Sequence, residues 1–443
     1  MLIKIAQLFL SLTILVTLHE FGHYWFAKKF KCRVDKFYLF FDFLFPFAGL
    51  LNFSLFKKKM GDTEYGIGWF PFGGYVQIAG MVDEQMDKTL LQTEPQPWEL
   101  RSKPAWQRLL VMLGGILVNF ILGIFIFWMI LFFSGKHSIT NQALTYGLAV
   151  DSTAYHMGLR DGDVITHLDD QAVTSINRIP VTIIMDRITN IRGIRENGQL
   201  FTVAVKDEDR ALLLKRLKKS DFVSPRFKFK LDSIDANSFA ANANLKKGDV
   251  ILKVNQQDVP YFNSFRSRLQ QFTGKKVQLS VLRQKDTIHT TCQVSETGII
   301  GVFPKPIQDI AVTTQTFSLG SALFQGIKDG MELMIMQAKQ IVVIFTVKDA
   351  HQQMSGFYSM VQQMDPSWDW LHFWSFTAFL SLALAFMNFL PIPMLDGGYI
   401  LFILIEMITR KKVSDKVLYY ANNVGLFIVL ALMIYANLDW TRQ

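Results

Sequence analysis

Residues 19–23 read His19-Glu20-Phe21-Gly22-His23 and lie inside an apolar run from Leu2 to Phe26. On a helix, side chains four apart share a face, so His19 and His23 point the same way, with Glu20 beside them. Two imidazoles at that spacing can hold one zinc ion, and the glutamate can take a proton from a water at the metal. The plainer alternative is a pair of helix-surface histidines, a pattern that soluble proteins also produce by accident. Ionisable side chains within an apolar segment of membrane length are costly and mark function by default. That cost favours the zinc reading.

The bulk composition agrees with a membrane setting. Half of the 443 residues are hydrophobic, the mean hydropathy is +0.22, and there are 39 phenylalanines and nine tryptophans. The net charge of +9 raises the question of nucleic acid, but the basic residues flank apolar runs: Lys28, Lys29, Lys31, Arg33 and Lys36; Arg101, Lys103 and Arg108; Arg410, Lys411, Lys412 and Lys416. That is the positive-inside pattern of a membrane protein, and it argues against nucleic-acid binding. The first apolar run is not read as a signal peptide. It lacks a small-residue cleavage site, and its basic cluster follows the run where a signal peptide has charge before it.

Four runs are long enough to span a bilayer: Leu2–Phe26, Leu109–Phe133, Leu371–Ile392 with an extension towards Met407, and Val417–Tyr435. The basic clusters place residues 28–108 and 410–416 in the cytoplasm and both termini and residues 134–370 outside. On that topology Cys32 and Cys292 lie on opposite sides, and no disulfide between them is expected. Met331–Thr346 is apolar but short and interrupted by Lys339, which reads as an amphipathic helix at the outer surface.

Between the first two spans, Phe37–Phe56 is aromatic-rich without helical period. Gly66-Ile67-Gly68-Trp69-Phe70-Pro71-Phe72-Gly73-Gly74-Tyr75-Val76 then mixes glycine pairs and a proline with aromatics, which favours strands and tight turns. Non-helical backbone at membrane depth must be covered by protein or line a water-filled cavity. A re-entrant hairpin lining a cavity fits, with an aromatic-rich cytoplasmic loop as the alternative. Farther on, Leu159-Arg160-Asp161-Gly162-Asp163-Val164-Ile165 is echoed by Leu245-Lys246-Lys247-Gly248-Asp249-Val250-Ile251, and Ser152 and Ala154 are echoed by Ser238 and Ala240. Each copy runs on into strand-like sequence, so the region reads as two tandem β-rich modules. They look like bacterial PDZ domains, which bind peptides by strand addition. Closed grooves serving only as spacers are the alternative. Basic residues around Lys215–Lys219 read as a solvated face.

A catalytic zinc with two histidines and a water needs a third protein ligand. The best candidate is Asp396 in Asn388-Phe389-Leu390-Pro391-Ile392-Pro393-Met394-Leu395-Asp396-Gly397-Gly398. It falls late in an out-to-in third span, and His19 and His23 fall late in an out-to-in first span. The topology therefore brings all three towards the cytoplasmic side. The prolines break the helical ladder, and Gly397 and Gly398 leave room around the carboxylate. Asn388 is placed to hydrogen-bond a substrate backbone or a developing oxyanion. A water-facing aspartate at a helix end and an Asn388 bond between helices are the plainer alternatives. Glu406 is a weaker rival ligand, read as an interfacial charge, and the other histidines are assigned no metal.

Taken together, H-E-F-G-H, the Phe72–Val76 stretch, the two PDZ-like modules and N-x-x-P-x-P-x-L-D-G-G resemble the site-2 protease family of intramembrane zinc metalloproteases, in its bacterial sigma-E regulator type. The resemblance runs through nearly the whole chain. It implies a polytopic α-helical membrane protein with four transmembrane helices, a membrane-associated β-hairpin region and two periplasmic PDZ-like β-rich domains. The implied order is helix 1 with the zinc motif (1–30), a cytoplasmic-side loop with the re-entrant region (31–107), helix 2 (108–134), PDZ-like domains (140–224 and 225–305), an amphipathic helical segment (306–369), helix 3 (370–409), and helix 4 with the tail (410–443). It further implies that Zn2+ is bound by His19, His23 and Asp396, with Glu20 as catalytic base. Asn388, Pro391 and Pro393 would belong to a substrate-handling loop, and Gly73, Gly74, Tyr75 and Val76 would pair with an extended substrate. The implied partners are single-span membrane proteins, trimmed beforehand on the periplasmic side and screened by the PDZ pair, in a bacterial inner membrane. Anti-sigma factors and remnant signal peptides are both compatible substrates. A catalytically idle PDZ scaffold and, less favoured, a zinc transporter are the rivals. Two stretches depart from the family pattern. Ser355-Gly356-Phe357-Tyr358-Ser359 stands where relatives have S-G-P-I-G, and Tyr146-Gly147-Leu148-Ala149 is only a partial carboxylate-binding loop.

Overall fold

The structure is a computed structural model that describes residues 1–44, 51–71, 73–81, 94–216, 221–307, 313–354 and 356–438. Residues 45–50, Phe72, residues 217–219 and Ser355 of the stretches singled out above lie outside the described residues. The chain divides into two compact units. One comprises Met1–Gly135, Thr316–Ile341 and His351–Gln443; the other comprises Lys136–Gln315 and Val342–Ala350.

In the first unit, four helices are long and apolar enough to cross a membrane. They are α1 (Leu2–Lys29), α2 (Ala105–Ser134), α4 (Trp370–Phe389) and α6 (Asp415–Asn437), and they make the chain a multi-pass membrane protein. Lys28 and Lys29 close the last turn of α1, where cations complement the helix dipole. The expected extension of the third span is not continuous. Leu390 leaves α4 in an extended conformation, Pro391 and Pro393 follow, and the chain restarts as a separate helix, α5 (Asp396–Thr409). The amphipathic helix begins at Leu319, earlier than the apolar pattern sets it, and runs to Thr346 as α3. Glycines bring it onto α2: a Cβ on Gly326 would lie 3.1 Å from the Trp128 backbone nitrogen, and the Trp128 indole donates to the Leu319 carbonyl at 2.8 Å.

Between α1 and α2 the aromatic stretches form a four-stranded sheet in the order β2-β3-β1-β4. Its strands are β1 (Val34–Leu39), β2 (Ser54–Met60), β3 (Thr63–Gly68) and β4 (Tyr75–Ile78). Here the hairpin expectation is corrected. The stretch from Gly66 to Val76 does not fold on itself: β3 runs parallel to one side of β1, and β4 runs antiparallel to the other. The tight hairpin is β2–β3, turned at Gly61, whose φ is +61°. Phe37↔Val76 and Tyr38↔Tyr75 pair side by side, and the buried Tyr38 ring stacks on Tyr75 with 5.4 Å between centroids. Aromatic cross-strand pairs of this kind fix register, and β4 is an edge strand among the described strands.

In the second unit the sequence repeat is a structural repeat. Strands Asn190–Ile194 and Leu200–Ala204 join Val164–Leu168 and Gln171–Ala172 in one four-stranded sheet. Strands Val250–Val254, Gln257–Asp258, Lys276–Arg283 and Asp286–Gln293 repeat that order. The repeated L-x-x-G-D turn has a physical cause. Gly162 and Gly248 hold φ of +90° and +91°, which glycine adopts without strain. The buried carboxylates of Asp163 and Asp249 accept the Arg160 and Lys246 N–H groups, each at 2.8 Å. Arg195 and Arg283, which the motif does not reveal, complete these ion pairs. In Tyr146–Ala149 the Gly147 N–H donates to Leu144 and the Leu148 N–H to Asp163, so both amides are already used within the fold. Cys32 and Cys292 are free and buried, and burial pushes the Cys292 thiol up to about 11.

Although burial pulls the Asp249 carboxyl upward, the two Arg283 contacts at 2.8 Å and the Lys246 amide hold it below the usual carboxylate range. A carboxyl depressed on folding stabilises the fold above its unfolded value, and the stabilisation is lost as pH falls through the folded value. Asp249→Asn, which removes the charge that Arg283 pairs with, is expected to destabilise the second unit by about 1–2 kcal/mol at pH 7. The deficit should shrink below about pH 4, as thermal unfolding of variant and wild type at several pH values would show.

Candidate active site

The α1 face carrying His19 and His23 packs against α2. A Cβ on Gly22 would lie 2.3 Å from the Gly114 carbonyl oxygen, and one on Gly114 would lie 2.5 Å from that of Gly22. Such an approach is open only to two glycines, as at other close helix contacts in membranes. Gly115 is next in line, and a Cβ there would meet His23 Nε2 at 2.5 Å and His19 Cε1 at 2.6 Å.

The third group arrives from the break after α4. Asp396 is the first residue of α5, where a carboxylate favours the helix N-terminus. The glycines around it let the loop fold close: Cβ atoms on Gly397 and Gly398 would collide with the carbonyls of Leu390 and Ile392 at 2.1 and 2.5 Å. From α6, Asn422 accepts the Met394 N–H at 3.3 Å and donates to the Tyr399 hydroxyl. A Cβ on Gly425 would lie 2.0 Å from the Pro393 carbonyl oxygen, so α6 also holds the loop by close contact.

The result is a triangle of donor atoms. Asp396 Oδ2 lies 3.2 Å from His19 Nε2 and 3.3 Å from His23 Nε2, and the two nitrogens are 3.2 Å apart. Ligands about 2.0–2.1 Å from a tetrahedral zinc stand about 3.3 Å from one another, so the spacing and the N, N, O donor set fit that ion. Asp396 Oδ2 otherwise has no hydrogen-bond partner among the described residues. Among those residues this is also the one group of three or more ligating side chains close enough for a metal.

Glu20 lines the same cavity of about 580 Å³, together with Gly73, Gly74, Tyr75, Val76 and Asn388. The backbone of Val76, on edge strand β4, is a hydrogen-bond partner of Glu20. The Asn388 amide nitrogen stands 3.3 Å from His19 Nε2, so its side chain faces the donor triangle. Pro391 and Pro393 are in the loop but not among the cavity-lining residues. Glu406 is elsewhere, paired with Arg108 at 2.5 Å, as befits a helix-end charge. Two features escaped sequence reading: Asn119, buried on α2 with its amide 3.2 Å from His19 Nδ1, and the Val111 carbonyl, 2.8 Å from His23 Nδ1. A lone polar residue in the apolar second span was a signal for the first; a backbone acceptor leaves none. The Gly115 contact yields a test. Gly115→Ala should leave the helical content intact but push the imidazoles apart, lowering zinc content on mass spectrometry and zinc affinity by about tenfold or more.

Comparison with known proteins gives the family. The model of peptidase family M50 matches residues 7–432. A protein of Treponema pallidum named "Putative zinc metalloprotease" is 28% identical over 98% of both chains. The regulator of sigma-E protease of Salmonella typhimurium is 26% identical over 97% of this chain and 96% of its own. That of Escherichia coli is 25% identical over the same shares. The chain belongs to peptidase family M50 and is a zinc metalloprotease whose candidate site lies among its membrane helices.

Proposed function

We propose that this metalloprotease cuts single-span membrane proteins within or near their transmembrane segment, with His19, His23 and Asp396 as the zinc ligands and Glu20 as the catalytic base. The observation that carries this reading is the convergence of three donor atoms at 3.2–3.3 Å beside a glutamate and strand β4, all facing one cavity. Zinc, when bound, polarises the scissile carbonyl and acidifies water. Glu20 takes one proton from the water as its oxygen adds to the carbonyl carbon, and delivers that proton to the amine nitrogen as the adduct collapses, re-forming the carbonyl and breaking the C–N bond. Asn388 directs its amide at the carbonyl oxygen as negative charge develops there. Gly73, Gly74, Tyr75 and Val76 hold the substrate extended alongside β4, because a peptide bond inside a helix is shielded by its own hydrogen bonds. Pro391 and Pro393 act indirectly by breaking the helix that carries Asn388 and Asp396.

The placement of basic clusters supports a bacterial inner-membrane orientation with the β-rich repeats on the periplasmic side and the site towards the cytoplasm. In this reading the repeats are PDZ-like modules that screen substrates already trimmed outside. The relatives named as sigma-E regulators make an anti-sigma factor one candidate substrate; remnant signal peptides are another.

Co-expression with tagged single-span proteins lacking their outer domains tests this reading. Glu20→Gln should lower cleavage by about 10²–10⁴-fold with zinc retained. Asp396→Asn should lose both zinc and cleavage, and a chelator should silence the purified wild type. Cleavage that survives Glu20→Gln would remove the assigned mechanism.

A further inference from the structure

We infer that Asn119 is a positioning residue that fixes the tautomer and orientation of His19, paired with the Val111 carbonyl, which does the same for His23. The inference rests on the ligand assignment proposed above. Val111, Gly115 and Asn119 are spaced four apart on α2 and so form one stripe along the helix. All three meet the two imidazoles. The Val111 carbonyl oxygen stands 2.8 Å from His23 Nδ1, Gly115 leaves room for both rings, and the Asn119 amide stands 3.2 Å from His19 Nδ1. Both histidines turn Nε2 towards Asp396. A neutral imidazole that binds metal through Nε2 keeps its proton on Nδ1, and that N–H needs an acceptor. Val111 supplies a carbonyl to one ring. For the other, the amide oxygen of Asn119 is the acceptor at hand, and it has no other partner among the described residues although the residue is fully buried. The amide oxygen and nitrogen exchange places by a half-turn of the terminal bond. With the oxygen facing His19, the imidazole proton is satisfied and the ring is held with Nε2 on the donor triangle.

A merely structural role predicts something different. Ser381 donates to the backbone carbonyl of Asn119 at 2.7 Å, so the residue already has a helix-packing bond that does not involve its amide. The test is zinc affinity of the purified full chain in detergent, measured by chelator competition, with thermal stability of the zinc-free form measured in parallel. Asn119→Ala should weaken zinc binding about 10–100-fold, with a matching fall in peptide cleavage. Asn119→Asp keeps an acceptor and should bind zinc at least as tightly as wild type, which also covers the case in which the alanine variant does not fold. Ser381→Ala, which removes the packing bond but leaves the Asn119 amide in place, should weaken zinc binding less than Asn119→Ala does. Wild-type affinity in Asn119→Ala, or a tenfold loss in Asn119→Asp, would overturn the inference. If His23→Ala and Asp396→Asn also kept wild-type zinc affinity, the ligand assignment itself would fall. Loss of zinc in those two, with no loss in Asn119→Ala, would remove only the role given to Asn119.

Discussion

The approach of α1 to α2 through Gly22 and Gly114 is the contact on which the rest of the site depends. In a bilayer two apolar helices gain little by leaving lipid for each other, so their association relies on close packing and the few polar bonds between them. A pair of facing glycines with no room for a Cβ on either side provides the close packing. The consequence is chemical as well as mechanical. With the backbones this near, a carbonyl of α2 reaches His23 directly at 2.8 Å, a bond that wider helix spacing would not allow.

The second requirement is that a carboxylate reach the same point from a different helix. A continuous third span would present Asp396 as one more side chain on a cylinder. The break between Phe389 and Asp396 turns it into the first residue of a new helix, with its loop fastened by Asn422 and Gly425 of α6. Irregular backbone among membrane helices is tolerated where protein or a cavity covers it. Here α6 covers one side of the loop and the cavity takes the other.

Much of this is legible in the sequence, for physical reasons that differ from residue to residue. His19, Glu20 and His23 are readable because helical spacing alone puts them together, and Asp396 because charge placement sets the depth of two spans independently. The four spans and the tandem repeat are readable because length, hydropathy and a repeated turn are local properties. The sheet between α1 and α2 is different. That β4 pairs with β1 rather than with β3 is decided by contacts such as Tyr38 on Tyr75, which no short-range rule anticipates. Arg195 and Arg283 likewise lie some thirty residues from the aspartates they hold. The Val111 acceptor is a main-chain atom, to which sequence patterns are blind.

The polar residues buried between α1, α2 and α4 can be weighed against one another. Thr377 donates to Ser11 at 3.0 Å and Ser381 to the Asn119 carbonyl at 2.7 Å. Interhelical bonds of this kind contribute on average about 0.6 kcal/mol in membranes, because the separated helices find other partners. Their sum is small beside the packing of whole helices, so stability alone does not account for a seam of polar groups leading to the site. Direction does. A hydrogen bond constrains rotation about a helix axis in a way that apolar contact does not, and a turn of α2 by one residue, about 100°, would carry Val111, Gly115 and Asn119 together away from the imidazoles. On the ligand assignment proposed above, the seam keeps that face of α2 aimed at His19 and His23, and the helices supply the stability.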